Sequence, residues 1–359
     1  MGRLANLRAR MRQSKLNGVM IVPGPNLRYF TGVNSLLLER PFFLLVPTEG
    51  EAQLVAPALE AGPYRDCPLP MNISSWTDSQ GPSGAIRSAV KEAVVKGVWG
   101  AEGKVPFLFY SRLTKAARGQ FVDAESVLQE LREIKDLTEV KLLKESGRIL
   151  GEAFKKFPDF IREGATEADL ARKASDTIYS LGASKVDDLL VQSGERAADP
   201  HSLPSSRKLR RGESIIFDIG STFEGYYADI TRTFCIGRSP AIEDVYSRVL
   251  EAEERAIDSS LAGTKVGRVD GAARGVLTRA GLGKYFIHRT GHGLGLEVHE
   301  APYIVEGGTE KLKDRMCFTV EPGVYQRGKL GVRIEDDVLM ERGKGVEITK
   351  TPKEYDWWA

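Results

Sequence analysis

Two segments of this chain place paired carboxylates on strands that read as hairpins. The first runs Ser214-Ile-Ile-Phe-Asp218-Ile-Gly220, crosses a polar, glycine-containing turn, and returns as Tyr226-Tyr-Ala-Asp229-Ile-Thr-Arg-Thr-Phe234. If the strands pair symmetrically about a point between residues 223 and 224, Asp218 faces Asp229 directly. Cβ atoms of such a pair lie about 4.5–5.5 Å apart, where like charges destabilise a sheet. Two buried carboxylates at that spacing need a shared proton or a cation; on an exposed edge hairpin they need neither. Ile216, Tyr227 and the Thr231/Thr233 pair share the aspartate face and favour burial. The second segment, Cys317-Phe-Thr-Val-Glu321-Pro-Gly-Val-Tyr325, is followed by a turn with Gly328 and Gly331 and then by Val332-Arg-Ile-Glu335-Asp-Asp-Val338. Symmetric pairing about residue 328 makes Glu321 face Glu335. Either pair alone is compatible with surface charge. A site for two divalent cations explains both.

Between them lies Ile287-His-Arg-Thr-Gly291-His292-Gly-Leu-Gly295-Leu-Glu-Val-His299-Glu-Ala-Pro302. Its glycines and proline exclude a continuous helix, so His292 and His299 are not a helical zinc-protease pair. Glycines beside His292 let the backbone turn sharply and approach something closely. A single histidine is more often structural than a ligand. Here, however, three of the chain's four histidines (His201, His288, His292, His299) fall within twelve residues, and none precedes residue 201. The Gly291/Gly293 pair lacks the third glycine and the strand-to-helix setting of a dinucleotide fingerprint. Neither a GxSxG elbow nor a phosphate-binding loop is present.

Four carboxylates and one imidazole form a hard, oxygen-rich ligand set suited to Mn²⁺, Co²⁺, Fe²⁺ or Zn²⁺. Four negative charges balance two divalent ions, and a bridging hydroxide serves as nucleophile because a metal lowers the pKa of bound water toward about 7. Hydrolysis of an acyl compound is the reaction such a centre suits.

The elements that must position these groups follow from the rest of the chain. Its 359 residues suggest two domains, or one large and one small, and 42% apolar content supports a real core. The net charge of +2 gives no electrostatic case for nucleic acid or an anionic membrane. Cys67, Cys235 and Cys317 are an odd set without CxxC spacing, which points to a reducing, cytoplasmic setting. No apolar run reaches the ~20 residues that span a bilayer. The N-terminus is arginine-rich with no acid before Glu39. Leu4, Leu7 and Met11 nonetheless keep a helical period, so it reads as a helix ended by Gly18 rather than a transit peptide.

Strands at 19–22, 42–46 and 52–56 alternate with helices at 85–96 and 124–134, an α/β pattern for a small domain over residues 1–133. A charged helical stretch, Leu131 through Leu150, reads as the connector into a second domain at 134–359. Helix prevails over 137–184, with Thr166 as an N-cap, and strands prevail after 187 apart from helices near 240–260 and 268–281.

These residues resemble those of the pita-bread metallopeptidases, the family of prolidase, aminopeptidase P and methionine aminopeptidase. Asp218, Asp229, His292 in Gly-His-Gly-Leu-Gly, Glu321 in Thr-Val-Glu-Pro-Gly and Glu335 in Val-Arg-Ile-Glu-Asp look like that family's five metal ligands in order. The likeness covers residues 134–359. Pro25-Asn-Leu-Arg-Tyr-Phe-Thr-Gly32 is similar to a creatinase/prolidase N-terminal domain, which points to the proline-specific branch. The fold implied is an α/β N-terminal domain plus an α+β pita-bread catalytic domain.

The resemblance implies two divalent ions per subunit, Mn²⁺ or Co²⁺ before Zn²⁺ or Fe²⁺. Glu321 would also shuttle a proton from the attacking water to the leaving amine, His299 would steady the tetrahedral intermediate, and His201 would close the pocket over the proline ring. Arg333, on the strand face of Glu335, would either orient a metal-binding carboxylate or make a plain surface salt bridge. His288 receives no role. The implied activity is removal of an N-terminal residue before proline, by an Xaa-Pro aminopeptidase or alternatively an Xaa-Pro dipeptidase, in a homodimer. Several prolidases carry an arginine four residues after the second histidine, suited to a dipeptide's carboxylate. Tyr303 at that position here favours longer peptides unless a partner subunit supplies the missing charge. A same-fold hydrolase or lyase acting on a non-peptide metabolite is the remaining enzymatic reading, and a non-catalytic binding module is a third.

Overall fold

The computed structural model describes residues 2–355. The chain divides into two compact units, the first ending at Arg132 and the second beginning at Glu133. The N-terminal elements are α1 (Arg3–Gln13), β1 (Gly18–Ile21), α2 (Pro25–Thr31), β2 (Phe43–Pro47), β3 (Ala52–Pro57), β4 (Met71–Trp76), α3 (Ser83–Glu92), β5 (Val98–Ala101), α4 (Phe107–Ala116), β6 (Gln120–Asp123) and α5 (Glu125–Glu133). The strands form one six-stranded mixed sheet in the order β4-β3-β2-β1-β5-β6. Met20, Phe43, Trp99, Phe109 and Leu113 fill its core.

Two expected boundaries shift for local reasons. Helix α1 stops well before Gly18: Ser14 is its C-cap, Lys15 adopts a left-handed φ of 56°, and Gly18 instead opens β1. Helix α3 is likewise shorter than expected, with Val94 at φ 52° just beyond its end.

The second unit begins with α6 (Leu137–Phe154) and α7 (Glu167–Ser180). The stretch 131–150 is therefore not one continuous helix. Asp136 breaks it by capping α6, its carboxylate accepting from the Thr138 and Glu139 amides while Glu139 accepts from the Asp136 amide. Such a reciprocal cap contributes roughly 1 kcal/mol. Thr166 caps α7, accepting from the Asp169 amide. These helices share a core with a three-stranded antiparallel sheet of β7 (Lys185–Ser193), β8 (Ser214–Phe223) and β9 (Tyr226–Cys235), built around Phe154, Phe157, Phe217 and Phe234.

A second helix pair, α8 (Pro240–Asp258) and α9 (Val266–Arg279), shares a core with the strands that follow. Those are β10 (Gly291–Gly293), β11 (Glu300–Ile304), β12 (Cys317–Val320), β13 (Gly323–Gln326), β14 (Leu330–Arg333), β15 (Asp336–Glu341) and β16 (Lys344–Glu347). Their sheet runs β11-β10-β12-β15-β16, with β13-β14 as a separate ladder. Each helix pair thus backs a set of strands whose other face is free to carry the site.

The β8–β9 register departs from the symmetric expectation. The innermost pair is Phe223 with Tyr226, and the two-residue turn between them, Glu224-Gly225, has positive φ at both positions (47° and 75°). That geometry matches the right-handed twist of the flanking strands, which fixes the hairpin by its turn. Pairing is therefore centred between 224 and 225, one residue further on. Asp218 stands opposite Thr231, and Asp229 stands opposite Gly220. The two aspartates share a face as diagonal neighbours rather than as a directly opposed pair.

The C-terminal pairing does keep residue 328 as its centre, but the expected pair of long strands is broken in the middle. Gly323 pairs with Arg333 in the inner ladder, and Val320 pairs with Asp336 in the outer one. Glu321 and Glu335 fall opposite one another in the interruption. Pro322 has no amide proton to continue the ladder. The Glu321 amide donates instead to the Thr290 carbonyl (2.8 Å), and the Glu335 amide donates to Thr231 (3.1 Å). The gap frees both side chains from the sheet and turns one of the two strands onto β9.

Candidate metal centre

Asp229, His292 and Glu335 converge, each offering one ligand atom within 4.8 Å of the other two. All three are buried. Three different elements deliver them: β9, β10 and the interruption before β15. His292 sits where two glycines let neighbouring backbone close in. A Cβ at Gly291 would lie 1.9 Å from the Thr319 carbonyl oxygen, and one at Gly293 would lie 2.2 Å from that of Ala301. The expectation of a close backbone approach beside His292 is met there.

The proton positions on His292 follow from its neighbours. Nδ1 lies 3.1 Å from the Gly293 carbonyl oxygen, which only accepts, so Nδ1 carries the hydrogen and Nε2 presents a lone pair. Burial, with the His299 charge as a second cause, pushes its pKa down to about 3, keeping the ring neutral. Nε2 lies 3.3 Å from Glu321 Oε1. Asp229 Oδ1 is buried without a hydrogen-bond partner among the described residues. Burial raises the Asp229 and Glu335 carboxyls well above the usual range, and neighbouring carboxylates add to it, Asp218 and Asp337 at Asp229 and Asp229 and Glu321 at Glu335. Glu321 is pushed up to about 7, again chiefly by burial. Acceptors have been gathered here with too few donors. A cation is the partner that this donor set lacks, and the residues present fit a divalent metal.

Asp218 lies beside this cluster and is partly exposed. Its Oδ2 pairs with the Arg333 guanidinium and its Oδ1 accepts from the Thr231 hydroxyl (3.1 Å). The single hydroxyl proton of Thr231 is shared with Glu335 Oε2, which lies closer at 2.6 Å, and Arg333 Nε donates to Thr231 (3.1 Å). Arg333 is itself buried, so its alternative as a surface salt bridge does not hold.

Arg333 further donates to the Tyr325 hydroxyl (2.7 Å), which in turn lies 2.9 Å from His288 Nε2. His288 Nδ1 lies 2.7 Å from the Arg289 carbonyl. One direction of donation satisfies the whole chain: Arg333 to Tyr325, Tyr325 to His288, His288 to the Arg289 carbonyl. His288 thus braces the site from behind, and burial holds it neutral by lowering its pKa to about 4.

The cluster lines a cavity of about 840 Å³ that also reaches His201, His299, Asp188, Asp199, Ile287 and Arg289. His299 stands edge-on to His292, ring centroids 4.2 Å apart, and is exposed to the cavity. His201 is exposed, two residues after Asp199, whose carboxylate its amide faces at 3.5 Å. Asp337 was not anticipated. Its Oδ2 accepts from the Asp229 amide (3.0 Å), bracing the ligand strand from beneath, and burial raises its pKa. Alternation from Glu335 would have placed it on that face. Arg289 also escaped notice; its guanidinium lies over the Tyr303 ring, 4.6 Å from the centroid.

Residues 141–342 match the model of metallopeptidase family M24, and residues 3–134 match the creatinase/prolidase N-terminal domain. A probable dipeptidase, PepE, of Mycobacterium tuberculosis is 36% identical over 98% of this chain and 95% of its own length. Among solved structures, a prolidase from Thermococcus sibiricus is 37% identical with a TM-score of 0.92, covering 98% of this chain and 97% of that one. A dipeptidase from Pyrococcus horikoshii is 36% identical with a TM-score of 0.94, covering 99% of both chains. A metal-ready cluster on a pita-bread scaffold, preceded in the sequence by a creatinase-type N-terminal domain, has one family meaning: the chain belongs to the M24 metallopeptidases, and it is an enzyme that hydrolyses peptides.

Proposed function

We propose that this enzyme cleaves the bond between an N-terminal residue and a following proline in short peptides. Asp218, Asp229, His292, Glu321 and Glu335 hold two divalent ions, Mn²⁺ or Co²⁺ in preference to Zn²⁺ or Fe²⁺. Bound ions supply an activated water at neutral pH and polarise the carbonyl under attack. The observation that carries this reading is the buried Asp229 carboxylate, one oxygen of which has no hydrogen-bond partner among the described residues, set within 4.8 Å of a neutral imidazole and a second buried carboxylate.

The chain's own residues do the rest. Glu321 moves the proton from the attacking water to the proline nitrogen as it leaves. His299 donates to the oxygen that gains charge in the tetrahedral intermediate, an interaction worth most where water is scarce. His201 packs against the proline ring at the cavity rim. Arg333, pinned between Thr231 and Tyr325, fixes the Asp218 carboxylate in one orientation. The three free cysteines suit a reducing cytoplasm, and the resemblance to prolidases supports a homodimer.

The test is to strip the protein with a chelator and restore Mn²⁺ or Co²⁺ against Xaa-Pro and Xaa-Pro-Xaa substrates. Metal-dependent cleavage of either is expected. Metal-dependent cleavage of neither would overturn the reading.

A further inference from the structure

His201 is exposed on a loop at the cavity rim, yet that loop is pinned from inside the fold. Gln192, on β7, is fully buried. Its Nε2 donates to the Pro200 carbonyl (3.0 Å) and to the Ser202 carbonyl (3.0 Å), the residues on either side of His201. A side-chain amide nitrogen has two hydrogens, so both are committed to this loop. The two carbonyls also fix which way the amide points, because a flipped amide would set its oxygen against both.

Strand register puts Gln192 on the side of the sheet that carries the site. Leu190 pairs with Asp218 and Gln192 with Ile216, so alternation sends Leu190, Gln192 and Asp218 to one face. Leu190 and Pro200 line the cavity together with His201. The adjacent Ser193 serves a different anchor. Its amide and hydroxyl donate to the buried Glu167 (both 2.8 Å), which also accepts from the Ser205 hydroxyl (2.6 Å) and amide (3.0 Å). Glu167 thereby ties down the two ends of segment 193–205. Within its tip, the Ser202 hydroxyl and amide donate to Asp199 (2.8 and 3.2 Å) and close a local turn. The bonds from Gln192 link that turn to the sheet.

This link is costly. Gln192 Oε1 is buried with no hydrogen-bond partner among the described residues, and a lone buried acceptor destabilises the fold. An apolar side chain of the same length would fill the space without that penalty. What glutamine adds is a pair of donors aimed at the carbonyls that flank His201.

We propose that Gln192 is a positioning residue: by holding the carbonyls of Pro200 and Ser202, it fixes His201 at the cavity rim against the substrate residue that follows the scissile bond. Gln192 does not line the cavity, so it acts through His201. Displacing a substrate-contacting group by about 1 Å can weaken catalysis up to a hundredfold, which gives such a tether its value. The proposal rests on the role given to His201 above.

The test is a double-mutant cycle of Gln192→Met and His201→Ala, each metal-loaded, with kcat and KM measured on Ala-Pro and Ala-Ala. Gln192→Met keeps the length of the side chain and removes both donors together with the stranded oxygen. It should match wild type in metal content and in urea midpoint, and raise KM for Ala-Pro about tenfold with kcat within about twofold. In the His201→Ala background the same change should alter kcat/KM by less than about twofold, because the residue it positions is gone. Gln192→Glu, which sets a carboxylate against the two carbonyls, carries the same cycle if Gln192→Met does not fold. Effects of the two substitutions that simply multiply would overturn the proposal. So would an unchanged KM in the Gln192 variant, or a His201→Ala enzyme that behaves as wild type. If the wild type cleaves Ala-Ala better than Ala-Pro, the proline reading fails by itself, and the cycle on Ala-Ala decides whether Gln192 acts through His201.

Discussion

Glu335 and Asp336 are adjacent and both are buried, yet their surroundings differ completely. Asp336 points to one side of the strand into a balanced network. Arg232 donates to both its oxygens (2.9 and 3.0 Å), Thr349 donates to it (2.8 Å), and Lys353 lies 3.4 Å away while also pairing with the buried Glu253. Glu335 points to the other side, where Asp229, Glu321 and His292 offer acceptors and the Thr231 hydroxyl is the nearest donor. Strand β9 repeats the division: Arg232 serves the first cluster and Thr231 the second. Side-chain alternation along two strands therefore separates a charge network that the fold completes by itself from one that it leaves unfinished. Buried charge of the first kind holds structure; buried charge of the second kind awaits a metal.

The largest test of that contrast is to remove a carboxylate from the unfinished cluster. Asp229→Asn or Glu335→Gln should lower kcat/KM by about a thousandfold or more, some 4 kcal/mol of barrier, while the chelated variant resists urea at least as well as chelated wild type. Activity within tenfold of wild type would erase the distinction between the two clusters. Next in size is Arg232→Met, which strands Asp336. It should cost about 3–5 kcal/mol of unfolding free energy, read from urea midpoints, with the metal-loaded folded protein still active.

A third experiment separates the clusters by pH. Asp229, Glu335 and Glu321 have pKa values raised in the folded protein, Glu321 to about 7, so the folded state binds more protons than the unfolded chain. Stability from these groups is present at low pH and is lost as pH rises through the raised values. His288 and His292, depressed to about 4 and 3, oppose the trend only below their unfolded value of roughly 6.5. The metal-free protein should therefore show a higher Tm at pH 6.5 than at pH 8, and added Mn²⁺ should remove that difference. A flat metal-free profile would mean that the carboxylates are not in fact crowded. The smallest effect is expected from His288→Gln, which interrupts the support of Tyr325 and Arg333. About a tenfold loss in kcat/KM, with metal content unchanged, would place His288 in the bracing layer.

Much of the site was legible in the chain itself. Residue type and glycine context singled out Asp218, Asp229, His292, Glu321 and Glu335, because few arrangements tolerate carboxylates on inward-facing strand positions. The Glu321/Glu335 register was readable from the position of Gly328. The Asp218/Asp229 register was not: a two-residue turn requires Glu224 to adopt a positive φ, which its residue type does not advertise. Asp337 and His288 were hidden for a different reason. Their partners, the Asp229 amide and the Tyr325 hydroxyl, lie 108 and 37 residues away.

By itself, then, the sequence determined the local devices: the cap at Asp136, the glycines flanking His292, the alternation that sends Glu335 and Asp336 to opposite faces. Only the tertiary structure decided which face closes its charges and which leaves them open. It also laid Arg289 over the ring of Tyr303, the cross-strand partner of His292. Hydrogen-bond closure between strands far apart in the chain is a property of packing, and no local propensity encodes it.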